Sequence, residues 1–216
     1  MSDQQLYEAM LTYTRAEDVG RLLESHYEKM PVGVLSVGLH TLARTAASQT
    51  AAYRKAIGEM PWFGKMLMRL GGQLSGGSET DVKGLTSILW AMSYLEQAES
   101  PLLLGLVKRL FTLAQHGRVT PAQLLLAAQA LARLKMLKNQ IGQMMMALVQ
   151  QRFGDFNAAH LGTLARALVE GLGAQAEPLL RAICTARLDE FGLDGSTRRA
   201  RCVCRQPPDS FVAALG

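Results

Sequence analysis

The stretch TPAQLLLAAQALARL, residues 120–134, and the stretch NAAHLGTLARALVEG, residues 157–171, follow one pattern. Each opens with a short polar residue, Thr120 or Asn157, after which leucine or alanine returns at intervals of three and four residues. Apolar residues at these intervals form one face of a helix, and a short polar residue ahead of them is a typical N-cap. The repeated pattern predicts two equivalent amphipathic helices.

A third copy of the pattern, DVKGLTSILWAMSYL, occupies residues 81–95. The N-cap candidates Asp81, Thr120 and Asn157 lie 39 and 37 residues apart, and each first helix is followed by a second apolar segment. These second segments begin at Ser100, Asn139 and Ala176. The repeating unit is therefore predicted to be a helical hairpin of roughly 38 residues, which buries its apolar face only by stacking on its neighbours.

Looser copies of the unit precede the three clear ones. MPVGVLSVGLHTLARTA, residues 30–46, repeats the stripe and is followed by a helix that is bent or broken at Pro61. Residues 1–30 supply a leading hairpin. The glycine-rich residues 71–79 are expected to form an exposed loop. We therefore predict an all-α fold, an α-solenoid of about five hairpins, with a helical bundle as the alternative.

The predicted repeat domain covers residues 1–191, and a basic tail covers residues 192–216. The clearest repeats are residues 81–118, 120–155 and 157–191.

Composition narrows the function classes. Of the 216 residues, 49% are hydrophobic and 6% aromatic, which predicts one medium-sized helical domain with a continuous core. No apolar run is long enough to span a membrane, and the acidic residues near the N-terminus do not fit a targeting peptide. The three cysteines leave an odd count without metal-ligand spacing, so we expect free thiols and no metal or cofactor.

Charge is distributed unevenly along the chain. The net charge is +5, yet no Asp or Glu occurs between Ser100 and Gly154. The basic residues of this span selected as candidate RNA-backbone contacts are Lys108, Arg109, Arg133, Lys135 and Lys138. Dense positive charge suits phosphate binding, because each neutralised phosphate releases counterions. The alternative is a solvated basic face that meets an acidic protein.

Two columns of side chains follow from the repeat alignment. His40, Trp90, Gln129 and Arg166 share one position, and Tyr94, Arg133 and Glu170 stand one turn further on. Trp90 either stacks on an RNA base or packs between repeats, while Gln129 and Arg166 either donate to RNA or face solvent. The tail residues Arg198, Arg199 and Arg201 either form an arm that orders on RNA or remain solvated.

At residues 81–95, 120–134 and 157–171 the sequence resembles octotricopeptide and heptatricopeptide repeats. These helical repeats occur in organellar RNA-binding proteins, including RAP-domain and FAST-kinase-like proteins. The octotricopeptide signature PPPEW is missing, and the stretch after Phe191 is too short for a RAP domain. The resemblance implies a location in the mitochondrial matrix and a ribonucleoprotein setting, such as a mitochondrial ribosome or an RNA-processing complex.

Catalytic motifs are not found in the sequence. The glycine-rich GGQLSGGSET lacks the G-K-[ST] ending of a P-loop, and the four histidines are scattered without metal-ligand spacing. We therefore expect a non-enzyme that binds rRNA, mRNA or guide-type RNA together with protein subunits, and no membrane. The alternative is a protein scaffold that holds partner subunits without touching RNA.

Overall fold

A computed structural model of the protein describes residues 1–75 and 81–190. Within these residues the chain forms α-helices joined by turns, with two short 3-10 segments and no β-strand, so the all-α prediction is confirmed. The chain divides into two compact units, Met1–Met136 and Leu137–Gly216. In the described part of the chain, no helix has both the length and the apolar character that crossing a bilayer requires.

The first unit contains eight of the described helices. In chain order they are α1 (Asp3–Thr12), α2 (Ala16–His26), α3 (Val32–Ala46), α4 (Ala51–Gly58), α5 (Pro61–Ser75), α6 (Val82–Tyr94), α7 (Leu102–Gln115) and α8 (Pro121–Arg133). The predicted break at Pro61 is confirmed, because α4 ends at Gly58 and α5 begins at the proline.

Helices α3, α6 and α8 pack side by side in the first unit. Helix α3 packs on α6, and α6 packs on α8, while the second helices α5 and α7 contact each other. Ile88, at the middle of α6, is fully buried, as are Leu39 of α3 and Leu131 of α8. The core of this unit therefore follows the stripe that the sequence repeat predicts.

The three predicted N-caps are confirmed by their hydrogen bonds. The Asp81 carboxylate accepts from the backbone N–H three residues on at 2.7 Å, and the Asn157 side chain does the same at 2.8 Å. Thr120 forms a capping box with Gln123, in which each side chain accepts from the other residue's backbone N–H. These caps satisfy amide groups that the first turn of a helix leaves without an internal partner.

The predicted loop at residues 71–79 is wrong in its first part. Helix α5 continues to Ser75, so Gly71 and Gly72 are helical. Leu67, Leu70 and Leu74 are buried at helical spacing, and this apolar stripe extends the helix through the two glycines. Residues 76–79 lie outside the described residues.

The second unit contains α9 (Asn139–Gln151), α10 (Ala158–Leu172) and α11 (Glu177–Glu190). Leu137, fully buried ahead of α9, packs against two glycines. A Cβ added at Gly142 would overlap the Leu137 carbonyl oxygen and the Leu172 side chain, and one at Gly171 would lie 2.6 Å from the Leu137 side chain. Gly142 and Gly171 thus allow α9 and α10 to approach Leu137 more closely than any residue with a Cβ would permit.

Candidate nucleic-acid interface

An aromatic ladder crosses from α3 to α6 in the first unit. The His40 and Trp90 ring centroids lie 4.7 Å apart, and Trp90 lies 4.2 Å from Tyr94, one turn further along α6. All three side chains are half-buried. Trp90 therefore packs against Tyr94 of its own helix and against His40 of α3. Packing of this kind is one of the two roles that the sequence predicts for Trp90.

Arg133 extends the ladder from α8. Its guanidinium carbon lies 4.0 Å from the centroid of the Tyr94 ring, while the residue as a whole is exposed. Tyr94 and Arg133 belong to the same predicted column, so equivalent positions of α6 and α8 meet here. Stacking on a ring holds the guanidinium plane in one orientation and leaves its edge N–H groups able to bind an anion.

A cleft of about 640 Å³ opens beside this stack and is lined by three cationic residues, Arg54, Arg133 and Lys135. We call it the cationic cleft. The acidic residue in its lining is Glu96, whose carboxylate lies 3.1 Å from an Arg54 guanidinium nitrogen. Arg54 also donates to the Gln49 carbonyl oxygen at 2.5 Å, which fixes its side chain. Three positive charges against one negative charge leave the cleft net positive.

Two residues that line the cationic cleft have left-handed backbone conformations. Glu96 has a φ of 58° and Lys135 a φ of 55°, and both follow the end of a first helix, at positions 39 residues apart. Glu96 and Lys135 each form a corner at which the chain leaves a helix. At each corner the backbone N–H of the next residue donates to a carbonyl oxygen of the last helical turn, Gln97 to Met92 and Met136 to Leu131. Glycine usually fills this position, because other residues lose about 1 kcal/mol there. The chain instead places a charged side chain at each corner.

The remaining predicted contacts lie elsewhere. Lys108 is exposed and Arg109 half-buried on α7, where they line a different groove, and Arg109 donates to the Leu74 carbonyl oxygen at 2.7 Å. Gln129 is half-buried on α8. The rest of the predicted contacts are the exposed Lys138 and Arg166 of the second unit, and Arg198, Arg199 and Arg201, which lie outside the described residues.

Arg54 was not among the predicted contacts. It lies on α4, far from the acid-free span, and the packing of α4 near the end of α6 brings it to the cleft. No local motif marks it in the sequence. The pairing of Tyr94 with Arg133, by contrast, follows from the repeat alignment.

No protein-family model matches the chain, and comparison with curated proteins and with solved structures gives no significant match. Among residues 1–75 and 81–190, no three His, Cys, Asp or Glu side chains come together in a group that could hold a metal ion.

The ladder predicts a pH-dependent stability. Burial, together with the positive charge of Arg44, lowers the pKa of His40 below its ordinary value of 6.5. The unfolded chain therefore binds a proton more readily than the folded chain, so the free energy of unfolding should fall as the pH drops below 6.5. Urea unfolding at pH 7.5 and 5.5 measures this decrease.

A His40→Phe variant keeps a ring on Trp90 but removes the titrating group. We expect a smaller loss of stability between the two pH values in this variant than in the wild type. Identical losses in both proteins would show that His40 does not contribute to the pH dependence.

Proposed function

We propose that the chain is a non-catalytic α-helical repeat subunit of a mitochondrial ribonucleoprotein assembly, and that it binds RNA backbone at the cationic cleft. The observation that carries the proposal is the convergence of Arg54, Arg133 and Lys135 beside the Tyr94 ring. The mitochondrial setting, in a ribosome or an RNA-processing complex, comes from the resemblance to octotricopeptide and heptatricopeptide repeats.

The cleft chemistry suits a nucleic-acid backbone. Arg133 offers planar N–H donors that match phosphate oxygens, while Lys135 adds a compact charge on a separate corner. Contacts of this kind position a strand without reading its sequence. Non-specific backbone binding of this type is consistent with a subunit that acts inside a larger assembly.

The predicted α-solenoid of about five hairpins is part of this proposal. Its support within the first unit is the packing of α3 on α6 and of α6 on α8, which is the arrangement of first helices in stacked hairpins. The matching left-handed corners after α6 and α8 add a second repeated feature.

The proposal is tested by reversing two charges of the cleft. Full-length Arg133→Glu/Lys135→Glu should bind single-stranded RNA at least about tenfold more weakly than wild type, and the slope of log affinity against log salt should be shallower by about two. Fluorescence anisotropy across a salt series measures both. The substitutions affect exposed side chains, so circular dichroism should show an unchanged helical content.

Lys65→Glu/Lys83→Glu is the matched control, because it makes the same change in net charge at exposed residues outside the cleft. Its affinity for RNA should stay within about threefold of wild type, as long-range effects are screened by salt. Equal losses in the two double variants would reduce the binding to an effect of net charge and overturn the proposed site.

A protein scaffold is the second candidate function, and the exposure of Met68 and Leu104 favours it. Such a subunit would show no salt-dependent affinity for RNA and would co-purify in fixed ratio with other proteins after nuclease treatment. That pair of results would replace the RNA proposal.

A further inference from the structure

A second groove, of about 1190 Å³, lies along α5 and α7 in the first unit. We call it the α5–α7 groove. Leu67, Leu74, Leu102 and Leu106 contribute apolar surface to its lining. Met68, which also lines it, is 70% exposed, and Leu104 of α7 is 65% exposed. Met68 and the leucines of the lining give the groove an exposed apolar surface, which is typical of a protein interaction site.

Glycines widen the α5–α7 groove. Gly64 of α5 and Gly105 of α7 both line it, and a Cβ added to either would meet no heavy atom within 4 Å. The backbone of both helices is therefore accessible at these points. Small residues at such positions let another helix approach closely.

Charge is separated along the groove. The two helices run in the same direction, as two contacts show. Before the helices begin, the Gln97 side chain that precedes α7 lies against Gly58, which precedes α5. Further along, Arg109 of α7 donates to the Leu74 carbonyl oxygen near the end of α5. Glu99 lines the end at which both helices begin, and Lys108 lies about two turns into α7. Neither side chain forms an ion pair within the described residues.

We propose that the α5–α7 groove binds an amphipathic helix of a partner protein, oriented antiparallel to α7. Acidic residues in the first turn of that helix lie near Lys108, and basic residues in its last turn lie near Glu99. This orientation also sets the helix dipoles in opposition, which is favourable. Phosphate is a poorer ligand here than in the cationic cleft, because three glutamates, Glu59, Glu96 and Glu99, offset the three basic residues of the lining. The α5–α7 groove shares Glu96 and Ala98 with the lining of the cationic cleft, but helix binding there does not depend on RNA binding.

The test uses a fluorescent synthetic peptide of about four helical turns. It has leucines at i, i+3, i+4 and i+7, glutamates in its first turn and lysines in its last turn, and a second peptide has the two charges exchanged. Wild-type full-length protein should bind the first peptide about tenfold more tightly than the second in anisotropy titrations. Glu99→Lys/Lys108→Glu should reverse this preference.

Gly105→Leu fills the groove and should weaken binding of the preferred peptide at least about tenfold. Gly33→Leu is the matched control, because Gly33 lies on α3 outside the groove and also has no heavy atom within 4 Å of an added Cβ. It should bind the peptide as wild type does. Both variants introduce a good helix former at an exposed helical position, so both should fold.

Three results would overturn the proposal. The first is equal binding of the two peptides, or binding of neither. The second is peptide binding that Gly105→Leu does not change, or that single-stranded RNA displaces. The third is a dimer in sedimentation equilibrium that Gly105→Leu abolishes, because a second copy of the chain would then be the occupant.

Discussion

Replacing Gly142 by alanine should lower the free energy of unfolding of the second unit by about 3 kcal/mol. The added Cβ would overlap the Leu137 carbonyl oxygen, which belongs to the backbone and cannot turn aside as a flexible side chain does. It would also overlap the Leu172 side chain. Urea unfolding followed by circular dichroism, with hydrogen exchange of the α9 and α10 amides, measures the loss.

Gly105→Ala is the control, because it adds the same methyl group at a position with no neighbouring atoms. Alanine in a helix interior is usually more stable than glycine by about 0.5–1 kcal/mol. An added Cβ at Gly105 meets nothing within 4 Å, so this variant should gain stability. The two substitutions are thus expected to have opposite signs. A gain at both positions would contradict the close contact between Gly142 and Leu137.

Ile88→Ala should destabilise the first unit by about 2–5 kcal/mol. The side chain is fully buried at the middle of α6, the helix that packs on both α3 and α8. Truncation removes apolar area from the core and leaves a cavity that packed helices on two sides refill only in part. Chemical denaturation of the full-length protein gives the difference.

Lys83→Ala is the control, because Lys83 lies on the same helix and is exposed. The free energy of unfolding of this variant should stay within about 0.5 kcal/mol of the wild-type value. If Ile88→Ala cost less than about 1 kcal/mol, the burial of α6 between its two neighbours would not describe the protein in solution.

Local chemistry explains why part of the fold could be predicted. Asp81, Thr120 and Asn157 cap helices through bonds to amides only three residues away, so neighbouring residues suffice to predict them. The apolar stripe through Ile88 and Leu131 likewise depends on periodicity within one segment. Features of this kind need no knowledge of distant contacts.

The glycine-rich stretch shows where local reasoning fails. Glycine in a helix interior loses about 1 kcal/mol relative to alanine, which favours a loop at Gly71 and Gly72. Burial of Leu70 and Leu74 outweighs that preference and keeps the segment in α5. Sequence propensity alone does not contain this tertiary contribution.

The cationic cleft was predicted in part. Arg133 and Lys135 lie two residues apart in the acid-free span, so charge density along the chain is enough to predict them. Arg54 comes from a helix 79 residues earlier than Arg133, and only packing brings it to the cleft. Lys108 and Arg109 share the same acid-free span but belong to α7, whose exposed side faces a different groove. Proximity along the chain is therefore a poor guide to proximity between layers of helices.

The left-handed corners at Glu96 and Lys135 place charged side chains in the lining of the cationic cleft, where their identity does not affect the packing of the core. Glu and Lys are both unbranched at Cβ and meet a similar backbone penalty at such a corner, and each side chain lines the cleft and not the core. Exchanging acid for base at either corner therefore changes the charge of the cleft and leaves the interior unchanged. The electrostatic character of the cleft is therefore set separately at each corner.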